Sequence, residues 1–114
     1  MDRPGSVNIA SVQMPVRYVE ADSLIHDTED GHEHTILGFF YSEDLLIEIK
    51  DGLTPERERF VLTHEILHSI LELSNLATLF EHLDEENLVS RLTPFVLSFI
   101  RENPDVVAYL QGEA

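Results

Sequence analysis

The fold is decided by residues 54–73, TPERERFVLTHEILHSILEL, in which two histidines lie inside a long apolar run. Thr54 is a good N-cap and Pro55 suits the first helical position, so we expect a helix to begin here. The apolar spacing predicts that the helix continues to about Leu73. Apolar side chains occur nearly all round it, which is typical of a buried helix.

The two histidines, His64 and His68, are four residues apart, so their rings lie on one helix face, one turn above the other. Both imidazoles can therefore reach one metal ion, and the Glu65 carboxylate beside them could take a proton from a water at that metal. This is the H-E-x-x-H arrangement of zinc metallopeptidases. Its middle positions, Ile66 and Leu67, are apolar and no proline breaks it, which favours a metal site over two ordinary core or surface histidines.

A catalytic zinc takes three protein ligands and keeps one position open. The chain has no cysteine, so the third ligand has to be a histidine or a carboxylate. The metzincin pattern H-E-x-x-H-x-x-G-x-x-H fails, because Leu71 and Ser74 stand where it needs glycine and histidine. A carboxylate further along the chain is the alternative.

The composition limits the function classes. The 114 residues predict one domain, 1–114, with an ordinary globular share of hydrophobic residues. The formal net charge of −15 argues against nucleic acid and against a membrane surface as partners, because both are bound by clustered Lys and Arg. Solubility is the ordinary reason for such acidity, and a preference for basic substrates is the sharper alternative. No apolar run could span a bilayer and the first residues lack a signal-peptide pattern, so we expect a cytoplasmic protein.

The first part of the chain predicts short strands. Residues 7–12 and 15–19 are rich in β-branched side chains, and Pro15 indicates an edge strand or a break between two strands. The polar residues 26–34 predict a loop. The His32-Glu33-His34 segment of that loop could bind a metal in principle, but we favour a solvated loop, because metal sites need fixed supporting groups.

A hairpin is the next predicted unit. Residues 36–41 and 45–50 read as strands joined by a turn at 42–44, and Leu45, Ile47 and Ile49 form the apolar face of the second strand.

Two or three helices are predicted after residue 75. Residues 76–83 favour a short helix, and Asp84 and the two glutamates after it begin a longer one with an apolar stripe at helical spacing. Pro94 should kink this helix or restart it with Thr93 as cap. Residues 105–110 predict a last turn or two of helix.

Residues 36–100 resemble a minimal gluzincin of the ImmA/IrrE-like kind, the small zinc metallopeptidases of phages, prophages and bacteria. The resemblance rests on the hairpin, on Thr63-His64-Glu65-Ile66-Leu67-His68 and on Glu86-Asn87-Leu88-Val89-Ser90-Arg91. The last segment resembles the second gluzincin motif, Glu-x-x-small-(Asp/Asn), with Val89 and Ser90 at its final positions. The resemblance implies zinc bound by His64, His68 and Glu86, with Glu85 as the alternative third ligand and Asp84 a more distant one.

The resemblance also implies a fold and an activity. The fold is α+β and zincin-like, with a small, mainly antiparallel sheet from residues 7–50 packed on the zinc-binding helix and further helices after it. The activity is hydrolysis of a peptide or protein substrate, such as a repressor-like regulator, with Glu65 as general base and then acid. An edge strand would bind the substrate in extended form. No separate DNA-binding module is evident in the sequence, so we expect any regulatory partner to be another protein.

Several roles stay open at this stage. Glu72 continues the stripe of the two histidines and reads as a group that orients one of them or as an exposed acid. Tyr41, Arg91 and His82 are candidate donors to the transition state, although His82 reads more simply as a surface residue. The competing function class is a catalytically inactive zinc-binding interaction or sensor module of the same fold.

Overall fold

The computed structural model describes residues 3–20, 25–27, 33–35 and 37–112. Within these residues the protein has a mixed four-stranded sheet, a separate two-stranded pair and three α-helices, so the expected α+β class is confirmed. The strands β1–β6 are Ser6–Ile9, Val12–Val19, Ile25–Asp27, Glu33–Thr35, Gly38–Tyr41 and Leu46–Lys50, and the helices α1–α3 are Pro55–Ser74, Glu85–Glu102 and Pro104–Leu110.

The four-stranded sheet has the order β1-β2-β6-β5. The β1/β2 and β5/β6 pairs are antiparallel, as expected for a mainly antiparallel sheet. The central β2/β6 pair is parallel, with Val16 opposite Ile47 and Val19 opposite Lys50. The sequence does not predict this parallel pair, because nothing local specifies a pairing between segments so far apart in the chain. β5 therefore lies at one edge of the sheet.

Both expectations for Pro15, an edge strand and a break between two strands, are wrong, because β2 lies between β1 and β6. The break lies at Ala10 and Ser11, which form the β1/β2 turn with φ of 50° and 68°, and Pro15 lies inside β2. The Val16 N–H donates to the Gly5 carbonyl at 3.0 Å, so the Pro15 nitrogen faces the β6 side. The ladder with β6 begins only at Val16, so the missing N–H of proline costs no hydrogen bond there.

The prediction of a plain loop at residues 26–34 is wrong at both ends. β3 and β4 pair antiparallel there, with His26 opposite His34 in the backbone ladder. The sequence signal is weak, because a strand of three residues shows almost no periodicity. Residues 28–32, including His32, lie outside the described part of the chain, and so does the possible metal binding by the His32-Glu33-His34 segment.

The predicted β5/β6 hairpin is confirmed, with one change in its apolar face. Ile47 and Ile49 are fully buried, whereas Leu45 belongs to the turn, where its φ is 50°. With Val16 and Val61 of the neighbouring elements, these isoleucines form the core between the sheet and α1.

Helix α1 begins and ends as its sequence predicts. The Thr54 hydroxyl accepts a hydrogen bond from the Arg57 N–H at 3.2 Å, and Asn75 ends the helix in the left-handed conformation, with φ of 57°. The expectation that the helix is buried nearly all round is wrong, since Phe60 and Ile70 are 37% and 39% exposed. The sheet and α2 cover only part of a twenty-residue helix in a chain of this size.

Helix α2 runs through Pro94 without a restart, contrary to one of the two predicted outcomes. Thr93 is not a cap, because its hydroxyl is buried and donates to the Val89 carbonyl at 2.7 Å within the helix. Ser90, whose carbonyl loses its helical partner at Pro94, is exposed, so water can replace that bond. The short helix predicted at 76–83 is only the 3-10 turn Leu76–Leu79, and α3 follows as expected.

Among the described residues, no helix is both long enough and apolar enough to cross a membrane.

The sheet approaches α1 very closely at Gly38, the first residue of β5. A Cβ built there would lie 2.6 Å from Val61 Cγ1 and 3.3 Å from Glu65 Cγ, both on α1, and 3.3 Å from the Glu48 carbonyl oxygen. Glycine is thus required for the edge strand to approach this helix.

We predict that Gly38→Ala lowers the free energy of unfolding by about 1–3 kcal/mol, because the added methyl group overlaps Val61. Urea titration followed by circular dichroism measures this change. Gly5→Ala is the matched control, since nothing lies within 4 Å of the position that its methyl group would take. Adding Val61→Ala should relieve part of the Gly38→Ala cost, and strictly additive losses would contradict the proposed contact.

Candidate metal centre

The H-E-x-x-H histidines lie side by side on one face of α1. The ring centroids of His64 and His68 are 4.9 Å apart, and their Nε2 atoms are 3.3 Å apart. This follows from their spacing of four residues, which puts one ring a turn above the other. Both side chains are largely buried, with 16% of His64 and 15% of His68 exposed.

The first turn of α2 brings a carboxylate to both rings. Glu86 Oε1 lies 2.9 Å from His64 Nε2, and Glu86 Oε2 lies 2.8 Å from His68 Nε2. The Ser90 hydroxyl, one turn further along α2, donates to Glu86 Oε1 at 3.4 Å. The structure therefore brings together His64, His68 and Glu86, the three residues that the family resemblance implies as ligands. They are a group of donor atoms that could hold a metal ion.

The other two acids of this turn are engaged elsewhere. The Asp84 carboxylate accepts a hydrogen bond from the Asn87 N–H at 3.0 Å and so caps α2. Glu85 Oε1 lies 2.8 Å from Nδ1 of His68, on the side of the ring opposite Glu86. Glu85 thus lies where it can orient the ring and hold a proton on Nδ1, which leaves Nε2 as the donor atom for a metal.

This arrangement calls for protons or a cation between the rings and Glu86. His68 has a carboxylate at each ring nitrogen, so in the absence of a metal both nitrogens must carry a proton to satisfy both contacts. His64 must also carry a proton on Nε2, because it too contacts Glu86. Two N–H groups then point at one carboxylate with their nitrogens 3.3 Å apart. A single cation would replace both protons.

The histidine pKa values shift in opposite directions. Burial lowers the pKa of His64, and the Glu86 carboxylate only partly offsets this. For His68 burial also favours the neutral ring, but the hydrogen bond with Glu85 and the charges of Glu65 and Glu86 outweigh it and raise the pKa. His64 is thus the ring that gives up its proton more easily.

Glu65 is a buried acid beside this cluster. Its side chain is on the side of α1 that faces Gly38, and the residue is only 6% exposed. Burial raises its pKa to about 7, since the ionised carboxylate loses its hydration, while the charge of His68 acts in the opposite direction. A carboxyl group with such a pKa can accept or donate a proton near neutral pH.

The cluster opens into a cleft of about 600 Å³ between α1, β5 and the start of α2. Its polar and charged lining residues are Ser42, Arg57, His64, Glu65, His68, Glu72, Glu85 and Glu86, and the rest of its lining is Leu37, Gly38, Phe39, Phe40, Phe60 and Val61. It combines an apolar wall with a few convergent polar groups, which is typical of ligand sites.

Other sequence candidates lie apart from this cleft or do not contact the histidines. Glu72 lines the cleft and is exposed, which agrees with the exposed-acid alternative, and the Nδ1 of His68 is bonded to Glu85. The Tyr41 hydroxyl donates to Glu48 at 2.8 Å. Tyr41, His82 and Arg91 are not among the residues that line the cleft.

Arg57 and Gly38 are site residues that the sequence analysis does not single out. Arg57 lies seven positions before His64, which is two turns of helix, so the helical period alone could have placed it on the cleft face. No local signal marks Gly38, because its importance comes from a contact between β5 and α1.

Comparisons with protein-family models, curated proteins and solved structures gave no match to this chain.

We predict that Glu65→Gln stabilises the metal-free protein at high pH. Because the pKa of wild-type Glu65 is raised on folding, ionisation of this group destabilises the folded protein. The loss of unfolding free energy is absent below about pH 4.5, grows between pH 4.5 and about pH 7, and is complete above pH 7. The amide removes that loss, and the gain in unfolding free energy at pH 8 should be on the order of 3 kcal/mol or less. Urea titrations of the chelator-treated proteins from pH 5 to pH 8 measure it.

Exposed Glu81, which does not line the cleft, offers the matched control. Glu81→Gln should leave the pH dependence of stability unchanged. Equal pH dependence in wild type and Glu65→Gln would contradict the assignment of a buried, proton-binding Glu65.

Proposed function

We propose that this protein is a zinc-dependent metallopeptidase of the gluzincin type, with zinc held by His64, His68 and Glu86. The observation that carries the proposal is the convergence of three donor atoms beside buried Glu65 at an open cleft. The zincin-like fold, the ImmA/IrrE-like relationship and the peptide or protein substrate belong to the same proposal.

The donor atoms fit zinc in kind and in spacing. Two imidazoles and one glutamate are an established donor set of catalytic zinc, and four-coordinate zinc with bonds of about 2.0–2.1 Å has its ligand atoms about 3.3 Å apart. Here the two Nε2 atoms are 3.3 Å apart, Glu86 Oε1 lies 2.9 Å from that of His64, and Glu86 Oε2 lies 2.8 Å from that of His68. Zinc, when bound, supplies a Lewis acid that polarises a carbonyl and lowers the pKa of a water molecule.

Glu65 would transfer the proton in this reaction. Its position in the H-E-x-x-H pattern and its raised pKa suit a base that takes the proton of the attacking water and then passes it to the leaving amine. Glu65 is only 6% exposed, which limits the access of bulk water to its carboxyl group. Glu85 would hold His68 in the tautomer that leaves Nε2 free for the metal.

The edge strand β5 supports a peptide as the substrate. In the described part of the chain β5 pairs only with β6, and residues 37–40 line the cleft. An extended peptide could add to this edge through main-chain hydrogen bonds, which would hold its carbonyl groups along the cleft. We therefore assign substrate binding by strand addition to β5.

We predict that Glu65→Gln keeps its zinc and loses cleavage by about 10²–10⁴-fold, because the amide cannot accept a proton. Elemental analysis should find about one zinc per chain in both proteins, by the ligand count. Cleavage is measured on an unfolded protein and on a repressor-like protein. Undiminished cleavage by Glu65→Gln would show that the base is another group. A wild type that binds zinc but cleaves neither protein would favour the inactive zinc-binding module.

We further predict that the two neighbouring acids differ in their effect on zinc affinity. Glu86→Ala removes a ligand and should weaken binding the most, whereas Glu85→Gln disturbs only the orientation of His68 and should cost about 10–100-fold. Competition with a chromogenic chelator measures both, with Glu81→Gln as control. The opposite order would make Glu85 the ligand in place of Glu86.

A further inference from the structure

We propose that the cleft selects a bipolar peptide, with an acidic group at the Arg57 end and a basic group at the Glu72 end. This inference rests on the proposed peptidase function and names the class of substrate. Arg57 and Glu72 are the cleft residues nearest the two ends of α1, and His64 and His68 lie between them on the same helix face. The charge of the cleft lining thus changes from positive at the Arg57 end to negative at the Glu72 end.

Arg57 is available to a ligand although acids flank it in the sequence. Glu56 is held by Arg101 through two hydrogen bonds of 2.7 and 2.9 Å, and Glu58 is held by Arg3 at 3.2 Å. Among the described residues the Arg57 guanidinium itself has no ion pair or side-chain hydrogen bond. The positive charge at this end of the cleft is therefore not neutralised by its neighbours.

Glu72 is the complementary case at the other end. Glu85 and Glu86 contact the two histidines, so their charges are used at the metal centre. The Glu72 carboxylate contacts neither histidine and has no ion pair within the described parts of the chain. The Glu72 carboxylate can therefore pair with a basic side chain of a ligand.

The distances fit a short extended peptide. Fifteen positions of helix separate Arg57 from Glu72, which is about 22 Å along the axis. An extended strand rises about 3.3 Å per residue, so about six or seven substrate residues span the two charges. Glu72 lies one turn beyond His68 and Arg57 two turns before His64, so the basic group should be nearer the scissile bond. Between them Phe40 and Phe60 offer an apolar wall.

The test uses zinc-loaded Glu65→Gln and four peptides of about eight residues, the length of strand that spans both charges, which share one neutral apolar centre. Two of the peptides carry Asp at one end and Lys at the other, in the two possible orders, the third carries Asp at both ends, and the fourth carries Lys at both ends. Binding is followed by fluorescence anisotropy. One of the two bipolar orders should bind about tenfold more tightly than the other, from two partly exposed charge pairs. In the same background the charge swap Arg57→Glu with Glu72→Lys should invert that order. High salt should reduce the difference in affinity between the two bipolar peptides.

The matched control is Arg59→Glu with Glu81→Lys, which exchanges the same charge types outside the cleft lining and keeps the net charge. It should retain the wild-type order. The single variants Arg57→Gln and Glu72→Gln, checked by circular dichroism and zinc content, should each reduce the discrimination about threefold. Equal binding of both bipolar peptides, an order that the swap leaves unchanged, or inversion by the control would overturn the proposal.

The binding assay separates this inference from the proposed activity. If the swap inverts the binding order but the wild type cleaves no peptide, the charge selection stands and the peptidase function fails. If the wild type cleaves all four peptides at equal rates, the peptidase function stands and the bipolar selection fails.

Discussion

The contact of Gly38 with Val61 and Glu65 sets the geometry on which the site depends. It lets the edge strand β5 lie directly against α1, so one wall of the cleft is a strand edge and the other is the face that carries both histidines. Gly38 also lies beside Glu65, and burial of the Glu65 carboxyl group raises its pKa to about 7.

A second constraint is the surplus of negative charge around two half-buried rings. Glu85 and Glu86 contact the histidines directly, and Glu65 acts on His68 through its charge. Such an arrangement holds together only if protons or a cation lie among the carboxylates. Zinc, bound as proposed, would displace the protons from the Nε2 atoms, which would couple metal affinity to proton release.

The sequence was informative wherever the signal is local. The cap at Thr54 and the helical period sufficed to predict α1 and the paired histidines, whereas Glu86 was singled out by the family resemblance. Local signals could not separate Glu86 from Glu85, because adjacent helical residues point about 100° apart and only the packing of α2 on α1 decides which one faces the Nε2 atoms.

Other features depend on contacts between distant segments and were missed for that reason. The parallel β2/β6 pairing, the role of Gly38 and the exposure of Phe60 all follow from how the elements pack. The Ala10-Ser11 turn was missed because it uses left-handed backbone without the glycine or asparagine that usually marks such turns.

X-ray absorption spectroscopy of the zinc-loaded protein tests most directly whether one zinc ion binds to His64, His68 and Glu86, because imidazole ligands give a distinct multiple-scattering pattern. We predict two imidazoles with the remaining ligands oxygen, and loss of the imidazole signal in a His64→Ala/His68→Ala variant. Three or more imidazoles, or an unchanged spectrum in the double variant, would place the metal elsewhere and contradict this metal centre.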